Sequence, residues 1–431
     1  MYITGWTVLI TALGAVPTFL AQDRTIAWAW LLGVTVLALL DALLAPKPES
    51  IGIKSVVPRS VRLGQTTSVS VNLVNLSRTT TIRGALRDAW EPSAGAVANR
   101  HRFVLAPFES RRFPTRLTPT RRGDRRSGGL TVRLEGPLRL AGRQRTIPRE
   151  ETLRVLPEFT SRRHLPSRLA LLREIDGRAT VNVRGPGSEF DSLREYVIGD
   201  DVRSIDWRAS ARRAEVLVKT YRPERDRRVF ILVDTARLSA GRVGDAPRLD
   251  ASIEAALLLS ALAAHAGDRV QVVAFDRKER ARAIGAAAPR LMPALAEALA
   301  VAEPNLVEPD WPGATRLIQE RLSQRSLVVL LTTIDPSCLD SGLADAVSAL
   351  GHRHQVVVAS VEDPEVEDMA AARGDAADLY AAAAAERGRL ETSALSMRLR
   401  QLGAEIVRGL PDDLAPALAD TYLRLKAAGR L

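Results

Sequence analysis

The residues best suited to chemistry crowd into one stretch, from Gly185 to Lys219. Gly187, Glu189, Phe190, Arg194, Tyr196, Gly199, Asp200, Asp201, Arg203, Asp206, Trp207, Arg212 and Lys219 lie there with the period of neither a helix nor a strand. A guanidinium group meets a carboxylate through a planar fork of donors, so arginine suits networks that leave water. Arg194, Arg203, Arg208 and Arg212 are therefore expected to pair with Glu189, Glu195, Asp200, Asp201 and Asp206, while Phe190, Tyr196 and Trp207 anchor the stretch on the following domain. That reading makes the segment a lattice stapled to its neighbour, since structural ion networks are common. A partner-binding or catalytic surface is the alternative. Asp200 and Asp201 suit paired acid–base work only if the backbone turns there, because successive side chains of an extended chain point apart.

Other catalytic patterns fail. No Gly-Lys pair exists to build a phosphate-binding loop, and no Gly-x-Ser-x-Gly elbow presents a nucleophile. His101, His164, His265, His352 and His354 never fall in the spacing that grips zinc from one helix face. Cys338 is the single cysteine, which rules out an intrachain disulfide or a thiolate cage and fits a reducing compartment.

The elements that must position these residues begin with two apolar runs. Tyr2 to Leu20 carries no charge and Ile26 to Leu44 carries only Asp41, each near the ~20 residues that cross a bilayer as a helix. Gln22, Asp23 and Arg24 make the turn, and Trp6, Trp28 and Trp30 lie where indoles favour the interface. Residues 1–46 are thus expected to form a transmembrane helical hairpin, with Asp41 solvated at the interface. Lys47, Lys54, Arg59 and Arg62 follow the second run, so both termini and the soluble domains are expected in the cytoplasm, on a multi-pass protein of the plasma membrane. The net charge of +11 is carried mostly by arginine and favours anionic neighbours, lipid headgroups or nucleic acid.

Residues 51–157 alternate as short strands, among them Thr67–Leu73 and Leu130–Leu134, with glycine and proline between them. That spacing predicts an antiparallel β-sandwich, with the block Arg121 to Arg126 as a solvated turn. Residues 158–227 read as linker and signature segment. Over 228–431 the compact apolar runs 229–233, 270–275, 327–331, 355–361 and 404–407 alternate with helical segments near 249–266, 289–302, 314–323, 343–350, 370–402 and 412–428. This order predicts a doubly wound α/β domain.

The stretch Gly185 to Arg212, continued by Glu215 and Lys219, resembles the signature of the domain of unknown function 58 family. Its pattern is close to G-x-G-x-E-F-x-x-L-R-E-Y-x-x-G-D-D-x-R-x-I-D-W-x-x-x-A-R, and it precedes a von Willebrand factor A-like domain. The resemblance implies two N-terminal membrane helices, a β-rich region ending near an Arg-Gly turn, here Arg122-Gly123, and a MoxR-type AAA+ ATPase as neighbour. Such an A domain often holds Mg²⁺ through an Asp-x-Ser-x-Ser loop. Here the first strand ends in Asp234-Thr235-Ala236-Arg237-Leu238, with apolar residues in both serine places, and Thr332-Thr333 stands for the usual Thr-Asp, with Asp335 two residues late. A small hard cation demands an octahedron of oxygens, so Asp234 is expected to mark a degenerate, unoccupied metal site and to order its loop instead. Asp310 is the further oxygen donor within reach of that reading. No cofactor is expected.

The function these readings favour is a membrane-anchored, non-enzymatic interaction or scaffold protein. Its expected partners are the lipid bilayer, a MoxR-type ATPase and other proteins of envelope or complex assembly. The alternative is a metal-assisted hydrolase using Glu189, Asp200, Asp201, Asp206 and Asp234. Nucleic acid is not an expected partner, for no reader fold is recognisable.

Overall fold

The structure, a computed structural model, describes residues 1–182, 189–197, 201–213, 215–222, 227–285, 288–336 and 341–431. The chain divides into two units, Met1–Glu158 and Phe159–Leu431.

The first unit opens with a two-residue strand β1 (Tyr2–Ile3) and three helices, α1 (Gly5–Leu13), α2 (Ala15–Ala21) and α3 (Arg24–Leu44). The two expected crossings are not equivalent. α3, with 21 residues, rises about 31 Å at 1.5 Å per residue, which matches a bilayer core. Among the described residues it heads the one helix long and apolar enough to cross a membrane. The first run breaks at Gly14 into pieces of 9 and 7 residues. The cause is local. The Trp30 indole N–H donates to the Ile10 carbonyl at 3.0 Å, so the Gly14 N–H turns to Thr11 O at 3.1 Å instead. A Cβ on Gly14 would stand 2.2 Å from that indole, and Pro17 then has no N–H for the Leu13 carbonyl.

Both ends of this helical segment meet at one turn of the sandwich. β1 pairs with Ala141 and Gly142. Asp41, near the end of α3, is fully buried and accepts from the backbone N–H groups of Leu138 at 2.7 Å, Leu140 at 2.7 Å and Ala141 at 2.9 Å. The expected interfacial solvation of Asp41 is therefore wrong. Its charge is met by three amide dipoles rather than water, and Gly136 has no side chain because a Cβ there would stand 2.3 Å from Asp41 Oδ1.

The sandwich consists of β2 (Ile51–Val56), β3 (Ser60–Arg62), β4 (Thr67–Asn75), β5 (Ile82–Trp90), β6 (Ala96–Val97), β7 (Arg100–Leu105), β8 (Ser110–Leu117), β9 (Gly123–Glu135), β10 (Ala141–Ile147) and β11 (Thr152–Leu156). One sheet runs β2-β4-β8-β6; in the other, β9 holds β10, β11 and β5, and β5 holds β7. Val71, Leu73, Ile82, Leu86, Phe103, Phe113, Leu130 and Val132 fill the space between them. The sandwich is antiparallel except for β11 and β3, which pair in parallel. Nor is the arginine block an open turn. Arg122 is buried, and Arg125 bonds Ser93 Oγ at 2.8 Å beside Glu91 at 3.6 Å.

The second unit starts with α4 (Leu165–Asn182), β12 (Glu189–Glu195), α5 (Trp207–Arg213) and β13 (Leu217–Arg222). Its sheet is built from β14 (Arg228–Asp234), β17 (Arg269–Phe275), β18 (Glu279–Gly285), β19 (Leu327–Leu331), β20 (Gln355–Val361) and β21 (Glu405–Gly409), with the small hairpin β15 (Arg242–Val243) and β16 (Ala246–Pro247) outside it. The order is β18-β17-β14-β19-β20-β21, all parallel except the edge strand β18. Residues of β14 alternate between two cores. Val229, Ile231 and Val233 face α6 (Arg248–His265), α7 (Ala288–Ala300) and the last helix α12 (Pro411–Ala427). Phe230 and Leu232 face α8 (Trp311–Arg321), α9 (Leu343–Gly351) and α11 (Ala376–Gln401), which follows the short α10 (Pro364–Ala371). Helices on both faces make this a doubly wound sheet.

Part of what reads as linker belongs to this unit. Leu172 of α4 is buried in the first of these cores, with Phe159, Leu165, Leu169 and Ile175 packed against it. The Ser161 N–H donates to Glu254 Oε1 of α6 at 2.6 Å. The single helix expected over 370–402 is two, parted around Arg373-Gly374, where Asp375 caps α11 by accepting from Asp378 N.

Candidate functional site

In an open α/β sheet, ligands favour the carboxyl ends of the strands where the winding reverses. Here that point lies between β14 and β19, and Asp234 stands on it. The side chain is 3 % exposed. Its Oδ1 accepts from the Ala236 N–H at 2.8 Å and its Oδ2 from the Thr332 hydroxyl at 2.6 Å, while its carbonyl accepts from Ser239 Oγ at 2.6 Å. Burial pushes the carboxyl up to about 6, against the pull of Thr332 and Ala236 and with a smaller push from Asp276.

Next to it, at the end of β17, Asp276 is also fully buried. Burial would raise this carboxyl, yet it is held below its ordinary value by Arg280 Nε at 2.7 Å and by the N–H groups of Arg277 and Lys278. Asn305 Nδ2 adds a bond at 2.9 Å. Asp310 caps α8 by accepting from Gly313 N at 2.9 Å. These acids are thus spent on loops. A divalent cation needs ligand oxygens facing one point, whereas both Asp234 oxygens face donors of the chain, and Ala236 and Leu238 offer none. The donor set does not fit Mg²⁺. Among the described residues no group of three or more His, Cys, Asp or Glu side chains could hold a metal.

The described part of the signature segment forms a ribbon and a capped helix. Glu189 to Glu195 pairs antiparallel with Leu217 to Arg222, making a two-stranded ribbon separate from the main sheet. Asp206 caps α5, accepting from Arg208 N at 3.1 Å and Ala209 N at 3.0 Å, and meets Lys219 Nζ at 3.3 Å. The Ala209 N–H, with Lys219, holds its carboxyl below the ordinary range. Ser210 closes the loop by accepting from Leu217 N at 2.8 Å. Tyr196 N donates to Val216 O at 2.8 Å, and Arg194 donates to the Glu195 carbonyl at 3.0 Å.

Trp207 contradicts the sequence expectation most clearly. It is 67 % exposed, so it is not the buried anchor that the sequence suggests. Val197, Val202 and Val216, in the segments that join the ribbon strands, are exposed, as are Asp201, Arg208 and Arg212. Gly187, Gly199 and Asp200 lie outside the described residues. Glu189, Phe190 and Arg203 are placed by backbone alone, Glu189 and Phe190 in β12 and Arg203 in the turn Val202–Ser204. Sequence reasoning missed Asp276 and Asn305; the one signal was weak, an acid directly after an apolar run at Asp276, as at Asp234.

Residues 192–402 match the family model described as "Protein of unknown function DUF58". Over 165 residues the chain is 26 % identical to "Uncharacterized protein YeaD" of Bacillus subtilis (strain 168). That match covers 37 % of this chain and 39 % of the relative, so the chain spans about two fifths of the relative's length. Among solved structures, the native conformation of E. coli alpha-2-macroglobulin is similar over 25 % of this chain and 7 % of its own, at 15 % identity and TM-score 0.20. A CARDB domain from Pyrococcus furiosus, in complex with di-metal ions, is similar over 27 % of this chain and 91 % of its own, at 14 % identity and TM-score 0.19. Neither likeness carries an argument about this chain.

Proposed function

We propose that this protein is a membrane-anchored, non-enzymatic scaffold whose signature ribbon docks a protein partner, a MoxR-type AAA+ ATPase being the one the family resemblance implies. The observation that carries the reading is the exposed apolar set Trp207, Val197, Val202 and Val216 beside Arg208 and Arg212. Tryptophan and arginine dominate the energetics of protein interfaces, and Trp207 is exposed on the same short helix as Arg208 and Arg212.

The α/β unit is read as von Willebrand A-like, on the strand order and on the signature that precedes it. With its switch-point acid saturated by the chain's own donors, it supports the ribbon rather than chemistry. The helical segment is read as a hairpin, α1 and α2 entering and α3 returning, because both its ends meet the same turn at 138–142. The soluble units then share the cytoplasmic side of the plasma membrane. Affinity capture of the full chain from detergent-solubilised membranes, with nucleotide present, is expected to recover the ATPase. Recovery of none would refute the partner.

A further inference from the structure

At the foot of α1 a groove of about 1090 Å³ opens between the helix and the outer face of the larger sheet. Its far wall is apolar, Trp6 and Leu9, both at least half exposed; its floor carries Arg83 and Arg102, and Arg139 stands at its edge. The sheet face beyond it continues the charge. Arg87 lies directly opposite Arg100 across the β5–β7 ladder, and Ala85 has Arg102 on one side and Arg133 on the other. All five of these sheet arginines are exposed. Like charges set opposite one another destabilise a sheet, and two carboxylates line the groove. Glu109 is engaged by Arg111 at 2.7 Å. Glu135 is the other carboxylate lining the groove. Arg133 is bonded to the neutral Gln144 at 2.7 Å and lies over the Tyr2 ring at 5.3 Å.

We infer that this groove and the adjoining arginine face bind the phosphate of an anionic phospholipid headgroup, with the lipid's acyl chains running along Trp6 and Leu9. The inference rests on the membrane reading of the helical segment. Charge complementarity requires an anion, and a neighbouring basic surface gains from an anionic leaflet. The apolar wall selects a lipid over a nucleic acid, whose phosphates bring no hydrocarbon. Tryptophan at the helix foot belongs at headgroup depth.

The test is native mass spectrometry of the full chain purified in a neutral detergent with equal phosphatidylglycerol and phosphatidylcholine. The wild type is expected to retain phosphatidylglycerol at least tenfold over phosphatidylcholine. Each arginine near an anionic surface is worth roughly fivefold, so the triple variant R83Q/R102Q/R139Q is expected to lose most of that preference. The conservative R83K/R102K/R139K keeps it. A control, R387Q/R389Q/R400Q on α11, removes the same charge elsewhere and is expected to change nothing. Single substitutions, each melting as the parent does, give graded losses and cover the case of a triple variant that fails to fold. Equal retention of the two lipids, or equal loss in the control, overturns the inference. So does displacement by glycerol 3-phosphate, which marks a free-phosphate site, or displacement by a single-stranded oligonucleotide, which marks nucleic acid. Release of the chain from membranes by carbonate would instead overturn the membrane reading itself.

Discussion

The carboxyl edge of the α/β sheet and the signature ribbon carry similar residues and use them in opposite ways. At the sheet edge Asp234 and Asp276 are sealed, each oxygen engaged by a hydroxyl, an amide or a guanidinium of the chain. Between the ribbon strands Asp206 caps a helix of seven residues, and Trp207 beside it is mostly exposed. Density of a motif does not by itself bury its aromatic residue. Burial follows from the apolar runs that flank a residue, and the ribbon has none as long as VFILV before Asp234.

That contrast can be broken first by truncating one aromatic in each region. Phe230 is fully buried between β14 and the α8 side. Phe230→Ala is expected to cost about 3–5 kcal/mol, read as a shift in the denaturant midpoint. Trp207→Ala is expected to fall within about 0.5 kcal/mol, as exposed substitutions do. A similar loss at both positions would mean that Trp207 is packed after all.

Next come the sealed aspartates. Asp41→Ala strips the acceptor from three backbone N–H groups, two of them in buried bonds, and is expected to cost about 2–4 kcal/mol. Hydrogen exchange should quicken at Leu138, Leu140 and Ala141 before it does elsewhere in the sandwich. Unchanged protection there would show that the turn does not need the helix.

Asp234 gives a pH test. Its folded carboxyl sits at about 6, above the ordinary value near 4, so between those limits the folded chain holds a proton that the unfolded chain has released. Stability should then fall as pH rises from about 4 to 6, by on the order of 3 kcal/mol, and level off above. Asp234→Asn should flatten that slope, a result that urea titrations at pH 4 and 6.5 would reveal. The smallest effect is expected at Asp206→Ala, where limited proteolysis between Asp201 and Arg213 should quicken while the global midpoint holds.

Much of this architecture was legible because long apolar runs announce buried strands. The five parallel strands fell where compact hydrophobic stretches lie, and α6, α9 and α12 within a residue or so of their expected ends. β18 was missed because ERARAIG, on an edge, is half polar and alternates as an exposed loop does. The break at Gly14 depends on an indole sixteen residues away, which no local pattern reveals. Asp41 reads as a membrane-interface acid until the turn at 136–141 is known to reach it. At the candidate site, the apolar side chains of Ala236 and Leu238 were plain in the sequence. The exposure of Trp207 was not, because motif density says nothing about which side of a ribbon faces water.

The proposed partner separates the two regions most directly. Full-length wild type, Trp207→Ala and Asp234→Asn would be captured side by side from detergent-solubilised membranes, with Mg²⁺ and nucleotide held constant, and the co-purifying ATPase quantified. Loss of the ATPase with Trp207→Ala and its full retention with Asp234→Asn is the predicted result. Retention with Trp207→Ala and loss with Asp234→Asn would contradict it and return function to the edge of the sheet.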